Sequence, residues 1–443
     1  MQNQGIRDAR KLGTPKLLIL GLQHMFAMFG ATVLVPALTG LSVSATLLFA
    51  GLGTLFFHFV TKGKVPAFLG SSFAYLAGYA AIAPNGEAAL LPYACVGVAA
   101  SGLLYLILAA LVRGFGANRV MRFFPPVVTG PIIICIGMTL ANSAINNCTG
   151  SWDIALVAIL TVVIFNIWGK GMLRIIPILL GVLVSYVYAA VTGRVDFSGV
   201  ASAAWIGLPV KMENTVFSLI GNCDANLLVT AIIAIMPIAF ATMIEHIGDI
   251  CAISSTVGAN FIADPGLHRT LLGDGLATSI ASLFGAPANT TYGENTGVLA
   301  LTRVYDPLVI RLAAVYAIIA SFCPKFAALV SAMPTGTIGG VSLILYGMIS
   351  AIGVRNLVEN RVDLAKSRNV IVVSLIISLA LGITFSTAGA ITFHVGEFTL
   401  NFSGLAVAAI VGIVVNAILP GKDYNFQNDY EYGKTTEDHG QML

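Results

Sequence analysis

The sequence predicts an all-α polytopic membrane protein whose fourteen transmembrane segments form two inverted repeats of seven segments each. Three observations support this fold class: apolar runs recur along nearly the whole chain, Lys and Arg cluster in alternate loops, and the two halves carry matching polar breaks. The 443-residue chain has 57% hydrophobic and 10% charged residues, with a mean hydropathy of +0.90. A soluble domain has about a quarter charged residues, so composition alone indicates a membrane protein.

The apolar runs define the segments, because about 17 to 25 residues cross roughly 30 Å of hydrocarbon, although several runs here are short or broken. The first run continues past Leu38 without a small-residue cleavage site, so we interpret it as a retained span and not as a signal peptide. The fourteen runs begin near Leu17, Ala45, Phe68, Leu90, Met121, Ile154, Met172, Asn226, Leu271, Asn289, Pro307, Thr335, Asn369 and Leu400.

The distribution of basic residues predicts that both termini are cytoplasmic. With the N-terminus inside, all of the 23 Lys and Arg residues fall in inner segments except Arg194, Lys211 and Lys325, as the positive-inside rule requires. The net charge of +3 reflects this bias and does not indicate nucleic-acid binding. The polar, acidic segment 420–443 is predicted to be a solvated cytoplasmic tail. The six cysteines show no C-x-x-C spacing, so we expect no metal site and no disulfide framework, with a single Cys148–Cys223 bridge as the alternative. We also expect no cofactor.

The two halves of the chain resemble each other at corresponding positions. Gln23 and His24 in the first segment match Glu245 and His246 in the eighth, and a pattern of Gly, Met, Ala and Asn at 130–146 recurs at 340–356. Seven segments per repeat is an odd number, so the second copy must cross the membrane in the opposite sense. Inverted repeats of this kind are typical of transporters.

The third and tenth segments open with polar, glycine-containing breaks, AFLGSSFAY at 67–75 and NTTYGENTG at 289–297. A membrane helix can be interrupted only where protein or a water-filled cavity pairs its backbone groups. We expect each break to be extended and to expose the N–H groups of a half-helix start, which can hold a carbonyl or an anion. The alternative is that Gly70, Ser71 and Ser72 only permit close helix packing. The paired positions favour a substrate site.

Four carboxylates are predicted inside membrane segments: Glu245, Asp249, Asp274 and Glu294. A charge at membrane depth costs about 2.5 to 3.5 kcal/mol on insertion scales, so such residues usually mark a pathway, a relay or a ligand site. Glu245 and Asp249 are one helical turn apart. Two carboxylates this close disfavour double ionisation, so at least one is predicted to hold a proton in some state of the protein. The alternative is a structural pair bonded to neighbouring backbone or to His246.

The roles of three ionisable residues, Asp274, His24 and His246, stay open. Asp274 is predicted to be a helix-start cap, a gate residue or a substrate contact. His24 and His246, taken singly, are typical of satisfied core histidines, with a proton relay as the alternative.

Several motifs together resemble a known family. ENTGVLALTR at 294–303 matches the signature of the nucleobase-ascorbate transporter family: an acidic or amide residue, N-x-G, four variable residues and T-R. LQHMFAMFGATVLVP, LGSSFAY, EHIG and GGVSLILYG match in order, so the resemblance covers nearly the whole chain. Within the family the chain is most similar to bacterial uracil permeases, through SSFAY, EHIG and TTYGEN.

The resemblance implies a secondary transporter, not an enzyme, that imports a nucleobase, uracil on the best match, together with protons. It implies a homodimer in the lipid of the bacterial inner membrane, with no nucleic-acid partner. It also implies a core domain from residues 1–118 and 225–333 and a gate domain from 119–224 and 334–419. The implied substrate contacts are Glu245, Glu294, Phe73, Gly293, Tyr292, Ser72, Ser342 and Tyr346. The residues assigned to proton coupling are Glu245, Asp249, His246 and His24.

Other functions stay open as alternatives. Asp249 and Asp274 depart from the uracil-permease pattern, which has a His and an uncharged residue there, and resemble the purine-transporting branch. A proton symporter of xanthine or uric acid is therefore the main alternative. An anion exchanger of the same architecture is disfavoured, since Glu245 and Glu294 would repel an anion. A membrane-embedded enzyme is disfavoured because no HExxH, G-x-S-x-G or phosphate-loop motif occurs.

Overall fold

The computed structural model describes residues 5–221, 223–395 and 398–421, except for the side chains at positions 172, 175, 294, 394, 395 and 398–400. The predicted acidic tail therefore lies outside the described residues beyond Gly421. The helices are Thr14–Thr39 (α1), Val43–Val60 (α2), Leu76–Ile82 (α3), Leu91–Phe115 (α4), Ala117–Met121 (α5), Pro126–Cys148 (α6), Trp152–Trp168 (α7), Met172–Ile175 (α8), Pro177–Val191 (α9), Ser198–Ser202 (α10), Ala225–Ile235 (α11), Ala239–Val257 (α12), Leu267–Leu283 (α13), Glu294–Thr302 (α14), Pro307–Ser321 (α15), Pro324–Ser331 (α16), Thr335–Glu359 (α17), Ser367–Thr384 (α18) and Gly404–Ile418 (α19).

Short elements connect the helices. The strands are Leu69–Ser71 (β1), Asn289–Thr291 (β2), Ala390–Val395 (β3) and Phe398–Ser403 (β4). Turns of 3-10 helix cover Ala9–Leu12, Phe73–Tyr75, Met212–Asn214, Val216–Leu219 and Met236–Ile238, and a π turn covers Ile262–Gly266.

The helix boundaries follow from local sequence signals. Ser42 begins α2 by accepting a hydrogen bond from the Ala45 N–H at 3.2 Å, and Asp306 begins α15 in the same way before Pro307. Such side-chain acceptors satisfy N–H groups that have no partner within the helix. Gly40, in the left-handed conformation, ends α1, where a side chain would cost free energy.

The chain is a mostly helical membrane protein, as predicted. Within the described residues, seven helices are long and apolar enough to cross a membrane, or eight if α15 and α16, which are bent by 89°, count as one span. One of the seven is the 33-residue stretch Ala225–Val257, which contains α11 and α12 on either side of a turn at Pro237. Four shorter apolar segments, at 73–82, 152–168, 177–191 and 404–418, accompany them.

The helices pack in two groups. In one group α4 packs on α13, and α2 packs on α15 and α13. In the other, α6 packs on α17, α7 on α9, and α18 on α19. Glycines permit the close approach within each group: a Cβ at Gly51 would lie 2.5 Å from the Ala314 carbonyl of α15, and one at Gly340 would lie 2.5 Å from the Ala155 carbonyl of α7.

The two predicted breaks are extended, and they pair with each other. Strands β1 and β2 are antiparallel, with Leu69 opposite Thr291, Gly70 opposite Thr290 and Ser71 opposite Asn289. This pairing satisfies backbone groups that would otherwise be stranded in a membrane segment.

One element was not predicted. Residues 390–395 and 398–403 form the antiparallel strands β3 and β4, so the last helix begins at Gly404 and not near Leu400. The physical reason is that apolar residues alternate with polar ones in AITFHV and FTLNFS, which favours a strand. Hydropathy averaged over a longer window hides this alternation and merges β4 with the following helix.

Candidate functional site

The paired breaks are held from both sides by hydroxyl groups and backbone. The Ser72 N–H donates to the Ala288 carbonyl at 2.9 Å, and the Tyr292 N–H donates to the Phe68 carbonyl at 3.1 Å, which extends the strand pair at both ends. Thr54 of α2 accepts the Leu69 N–H through Oγ1 at 2.9 Å. The first break is therefore tied to the second break and, at Leu69, to α2.

Helix α1 anchors the break through Ser71 and Tyr292. Ser71 Oγ donates to the Thr32 carbonyl at 2.8 Å. The Tyr292 hydroxyl lies 3.1 Å from the Ser71 carbonyl and 3.3 Å from Thr32 Oγ1. Tyr292 was predicted as a substrate contact, and the structure places its hydroxyl in the support of the break.

A half-helix begins directly after each strand. Phe73 opens the 3-10 turn before α3, and α14 begins at Glu294, just after Gly293. Asn295, in the first turn of α14, donates from Nδ2 to the Pro66 carbonyl at 2.7 Å, which ties the second half-helix to the first break. The sequence predicted a half-helix start at each break, and the structure brings the two starts to the ends of one strand pair. A half-helix start carries a partial positive charge, and α14 spans nine residues.

Residues from α17 lie beside the first break. The Phe73 and Tyr346 rings meet edge to face, with centroids 5.7 Å apart. Ser342 and Tyr346 are one turn apart on α17, and both hydroxyls are buried without a hydrogen-bond partner in the described structure. The Ser72 hydroxyl is in the same state. Buried hydroxyls of this kind are available to a polar ligand. A cavity of about 20 Å³ adjoins this region, lined in part by Ala74, Ala77 and Ile136.

The Asp249 carboxylate of α12 faces the second break. A Cβ at Gly293 would lie 2.7 Å from Asp249 Oδ1, so the Asp249 carboxylate lies against the start of α14. Glu245 is one turn earlier on α12 and is half-buried. Glu294 is the first residue of α14, but its side chain is outside the described atoms. Helix α12, which carries Glu245, packs beside α14, which begins at Glu294.

A buried polar cluster of His246, Thr291 and Asp274 lies next to Asp249. His246 Nδ1 is 2.9 Å from Thr291 Oγ1 and 3.4 Å from Asp274 Oδ2. Asp274 Oδ1 accepts the Thr291 backbone N–H at 2.8 Å. His246 and Asp274 side chains are both 0% exposed.

The helix-start role considered for Asp274 is wrong. Helix α13 begins at Leu267, because the Pro265-Gly266 turn precedes it, and Asp274 lies in the middle of the helix. Its carboxylate serves instead as the acceptor for a strand N–H of the second break.

His24 of α1 is fully buried and faces the Asn295 side chain. In the described part of the chain no hydrogen bond connects it with His246. Sequence reasoning also overlooked Thr291 and Tyr105. Thr291 lies inside the quoted NTTYGENTG motif, so its hydroxyl beside a break was a readable signal. Tyr105 packs edge to face on His246 with ring centroids 6.4 Å apart, and an isolated Tyr in an apolar helix offers no such signal.

This arrangement, a membrane-spanning helical protein with paired breaks and half-helix starts at buried polar groups, is that of a transporter. Solved structures share its fold. The transmembrane domain of a cyanobacterial bicarbonate transporter, BicA, superposes with a TM-score of 0.62 at 13% identity, covering 94% of this chain and 100% of that one. The murine Solute Carrier 26 family member A9 anion transporter gives a TM-score of 0.61 at 11% identity, covering 91% and 67%.

Sequence relatives specify the class further. A family model described as "Permease family" matches residues 15–389. A uracil permease of Bacillus caldolyticus is 42% identical, with 96% of each chain covered. Uracil permeases of Bacillus subtilis and Escherichia coli K12 are 40% and 38% identical, covering 99% and 90% of this chain and 98% and 90% of theirs. The chain belongs to the nucleobase-ascorbate transporter family of permeases and is a transporter of the nucleobase class, not an enzyme.

Proposed function

We propose that this permease imports uracil by proton symport, with the base bound where α12 meets the paired breaks. The observation that carries the proposal is the convergence of two half-helix starts and the Asp249 carboxylate of α12 at one strand pair. The names of the relatives, uracil permeases at about 40% identity, support uracil as the base.

The chemistry of the residues suits a pyrimidine edge. Uracil is a neutral ring that presents N–H donors beside carbonyl acceptors. Glu245 and Glu294 supply charged acceptors, and the backbone at Phe73 and Gly293 supplies donors. Ser72, Tyr292, Ser342 and Tyr346 surround this position in the proposal. A base with a different edge would leave buried groups unpaired, which disfavours its binding.

We also propose the fourteen-segment inverted repeat. The pairs of segments that pack together support it. When seven is added to or subtracted from both segment numbers of a packed pair, the result is another packed pair. The fourth and ninth segments, α4 and α13, pack together, and so do the eleventh and second, α15 and α2. The sixth and seventh segments, α7 and α9, pack as the thirteenth and fourteenth do, α18 and α19. The third and tenth segments pair with each other through β1 and β2.

The two packing groups support the proposed division into domains. The α4–α13 and α2–α15 pairs fall in the core domain, 1–118 and 225–333, and the α6–α17, α7–α9 and α18–α19 pairs fall in the gate domain, 119–224 and 334–419. Ser342 and Tyr346 come from the gate domain, so the proposed site lies between the two. We further propose that the protein is a homodimer in the bacterial inner membrane, with both termini cytoplasmic.

Uptake of labelled uracil into proteoliposomes tests transport and coupling together. Uptake should rise with an inward proton gradient and collapse with a protonophore. Uptake that persists without a proton gradient and depends on Na⁺ would contradict proton symport. Chromatography of the internal label should return unchanged uracil.

A purine symporter is the second candidate, favoured by Asp249 and by the buried Asp274. A competition panel against labelled uracil separates the candidates. Uracil should compete, and xanthine, uric acid, ascorbate and sulfate should not. Stronger competition by xanthine than by unlabelled uracil, with uptake of labelled xanthine, would establish the purine function instead. Competition by sulfate would favour an anion exchanger.

A further inference from the structure

A chain of buried polar atoms connects the start of α14 with the His246–Asp274 pair. Asp249 Oδ2 lies 3.5 Å from Thr291 Oγ1, and Thr291 Oγ1 lies 2.9 Å from His246 Nδ1. His246 Nδ1 is 3.4 Å from Asp274 Oδ2. Asp249 in turn lies against Gly293, at the proposed substrate position. In the described part of the chain, Thr291 Oγ1 thus connects the Asp249 carboxylate with the buried His246.

The position of the Thr291 hydroxyl is determined by the break itself. Thr291 is the last residue of β2, opposite Leu69 in the strand pair. Its backbone N–H donates to Asp274 Oδ1 at 2.8 Å, so the residue is held on two sides. Because Thr is β-branched, few rotamers are open to it. The hydroxyl therefore stays between the two ionisable groups.

A hydroxyl in this place can pass a proton, because it donates one hydrogen and accepts another. Consider Asp249 protonated and His246 neutral with its hydrogen on Nε2. The Asp249 O–H bond breaks and its proton joins Thr291 Oγ1, while the original Thr291 proton leaves and bonds to His246 Nδ1. The net change is one proton moved from Asp249 to His246, with Thr291 restored. The product is an imidazolium beside the Asp274 carboxylate, a charge pair that offsets burial.

Several elements contribute titratable or aromatic groups around His246. On α12 itself the neighbouring titratable groups are Glu245 and Asp249. From α13 Asp274 faces the imidazole, and from α4 the Tyr105 ring packs on it. Tyr75 and Tyr105 lie within electrostatic range of Asp274 and Glu245. From α2 the neighbour is Phe57, whose ring carries no charge.

We propose that the Thr291 hydroxyl relays protons between Asp249 and the His246–Asp274 pair. This inference rests on the proposed proton symport. In this proposal the coupling proton is held on His246, outside the substrate position, and the Asp274 carboxylate is its counter-ion.

The test compares Thr291→Val with Thr291→Ser in proteoliposomes. Val has nearly the same shape as Thr and lacks the hydroxyl, whereas Ser keeps it. With Thr291→Val, we expect proton-driven accumulation of labelled uracil to fall by at least about tenfold and its dependence on external pH to flatten. Equilibrium uracil binding at fixed pH should change by less than about threefold, and uracil–uracil exchange should persist. Thr291→Ser should accumulate uracil within about threefold of the unsubstituted protein.

Several outcomes would overturn the relay. Accumulation by Thr291→Val equal to that of the unsubstituted protein under the same gradient would show that the hydroxyl carries no proton. Equal loss of accumulation and binding in Thr291→Val and Thr291→Ser would indicate a purely structural role. If Thr291→Val fails to bind uracil, Thr291→Ala against Thr291→Ser repeats the comparison. If the unsubstituted protein ignores the gradient, proton symport itself fails, and the relay with it; the control uptake separates this case from a failure of the relay alone.

Discussion

At the scale of single residues, the buried carboxylates Asp274 and Asp249 differ in the groups that they contact. Asp274 accepts a strand N–H through one oxygen and faces His246 through the other. Burial of an unpaired charge costs much free energy, so this pairing is what permits an acid in the middle of α13. Asp249 is placed differently, with its carboxylate against the start of α14. The two acids that depart from the uracil-permease pattern therefore both contact Thr291, Asp249 at its hydroxyl and Asp274 at its backbone N–H.

Glu294→Gln tests the proposed charged acceptor. The change keeps the size of the side chain but removes a charged acceptor and adds an NH₂ group that can face the ring N–H. A charge-assisted hydrogen bond contributes about 1.5 to 3 kcal/mol, so uracil binding should weaken by about tenfold to a hundredfold. Calorimetry on the purified variant measures this, with Glu87→Gln in an exposed loop as the control. Unchanged affinity would remove Glu294 from the site.

Gly293→Ala tests the contact between α14 and Asp249. A Cβ at this position would lie 2.7 Å from Asp249 Oδ1, so the carboxylate or the helix start must shift. We expect uracil affinity to fall by at least about tenfold, since displacements of about 1 Å at a site are costly. Gly297→Ala on the same helix is the matched control, because a Cβ there meets nothing within 4 Å. Equal affinity in the two variants would contradict the placement of Gly293 at the substrate.

At the scale of elements, the strand pair is the structural centre of the site. Residues 69–71 and 289–291 supply to each other the backbone hydrogen bonds that a continuous helix would make internally. Their flanking contacts reach α1, α2 and α13, through Thr32, Thr54 and Thr278. Two half-helices can therefore start in mid-membrane without stranded backbone groups.

Gly70→Ala should destabilise this element. A Cβ at Gly70 would lie 2.5 Å from the Tyr292 ring, whose hydroxyl bonds Ser71 and Thr32. Overpacking of a tight core costs about 1 to 3 kcal/mol, so the thermal unfolding midpoint of the detergent-solubilised protein should fall. Gly114→Ala in α4, where a Cβ meets nothing within 4 Å, should leave the midpoint unchanged or raise it. A midpoint for Gly70→Ala equal to that of this control would show that the strand pair tolerates the extra atom.

At the scale of the whole molecule, the proposed orientation places the connection between α9 and α11 outside the cell. Cys223 in this connection is exposed, whereas the other five cysteines are buried or half-buried. A membrane-impermeant maleimide should therefore label Cys223 in intact cells, and Cys223→Ser should abolish that labelling. Labelling that requires permeabilised cells would contradict the proposed orientation, which the positive-inside rule predicts.

The sequence by itself determined the membrane class, the position of most helices and the two extended breaks. Predicted segment starts at Pro307 and Thr335 coincide with the first residues of α15 and α17. The physical reason is that hydrocarbon imposes local demands, namely an apolar run of sufficient length and a partner for every backbone group, and both are readable from neighbouring residues. The motifs around Glu245 and Glu294 likewise specified the family, because they are contiguous in the chain.

Only the tertiary structure decided which of these residues meet. Ser71 and Tyr292 are 221 positions apart and yet share a hydrogen-bonded cluster, and His246 reaches Thr291 and Asp274 from separate elements. The helix-start cap considered for Asp274 is wrong for this reason: its partners come from β2 and α12, not from its own helix. Helix periodicity shows which face of a segment is polar, but the partner of that face depends on how distant segments pack. The strand register, with Leu69 opposite Thr291, sets that packing at the site, and no local pattern specifies it.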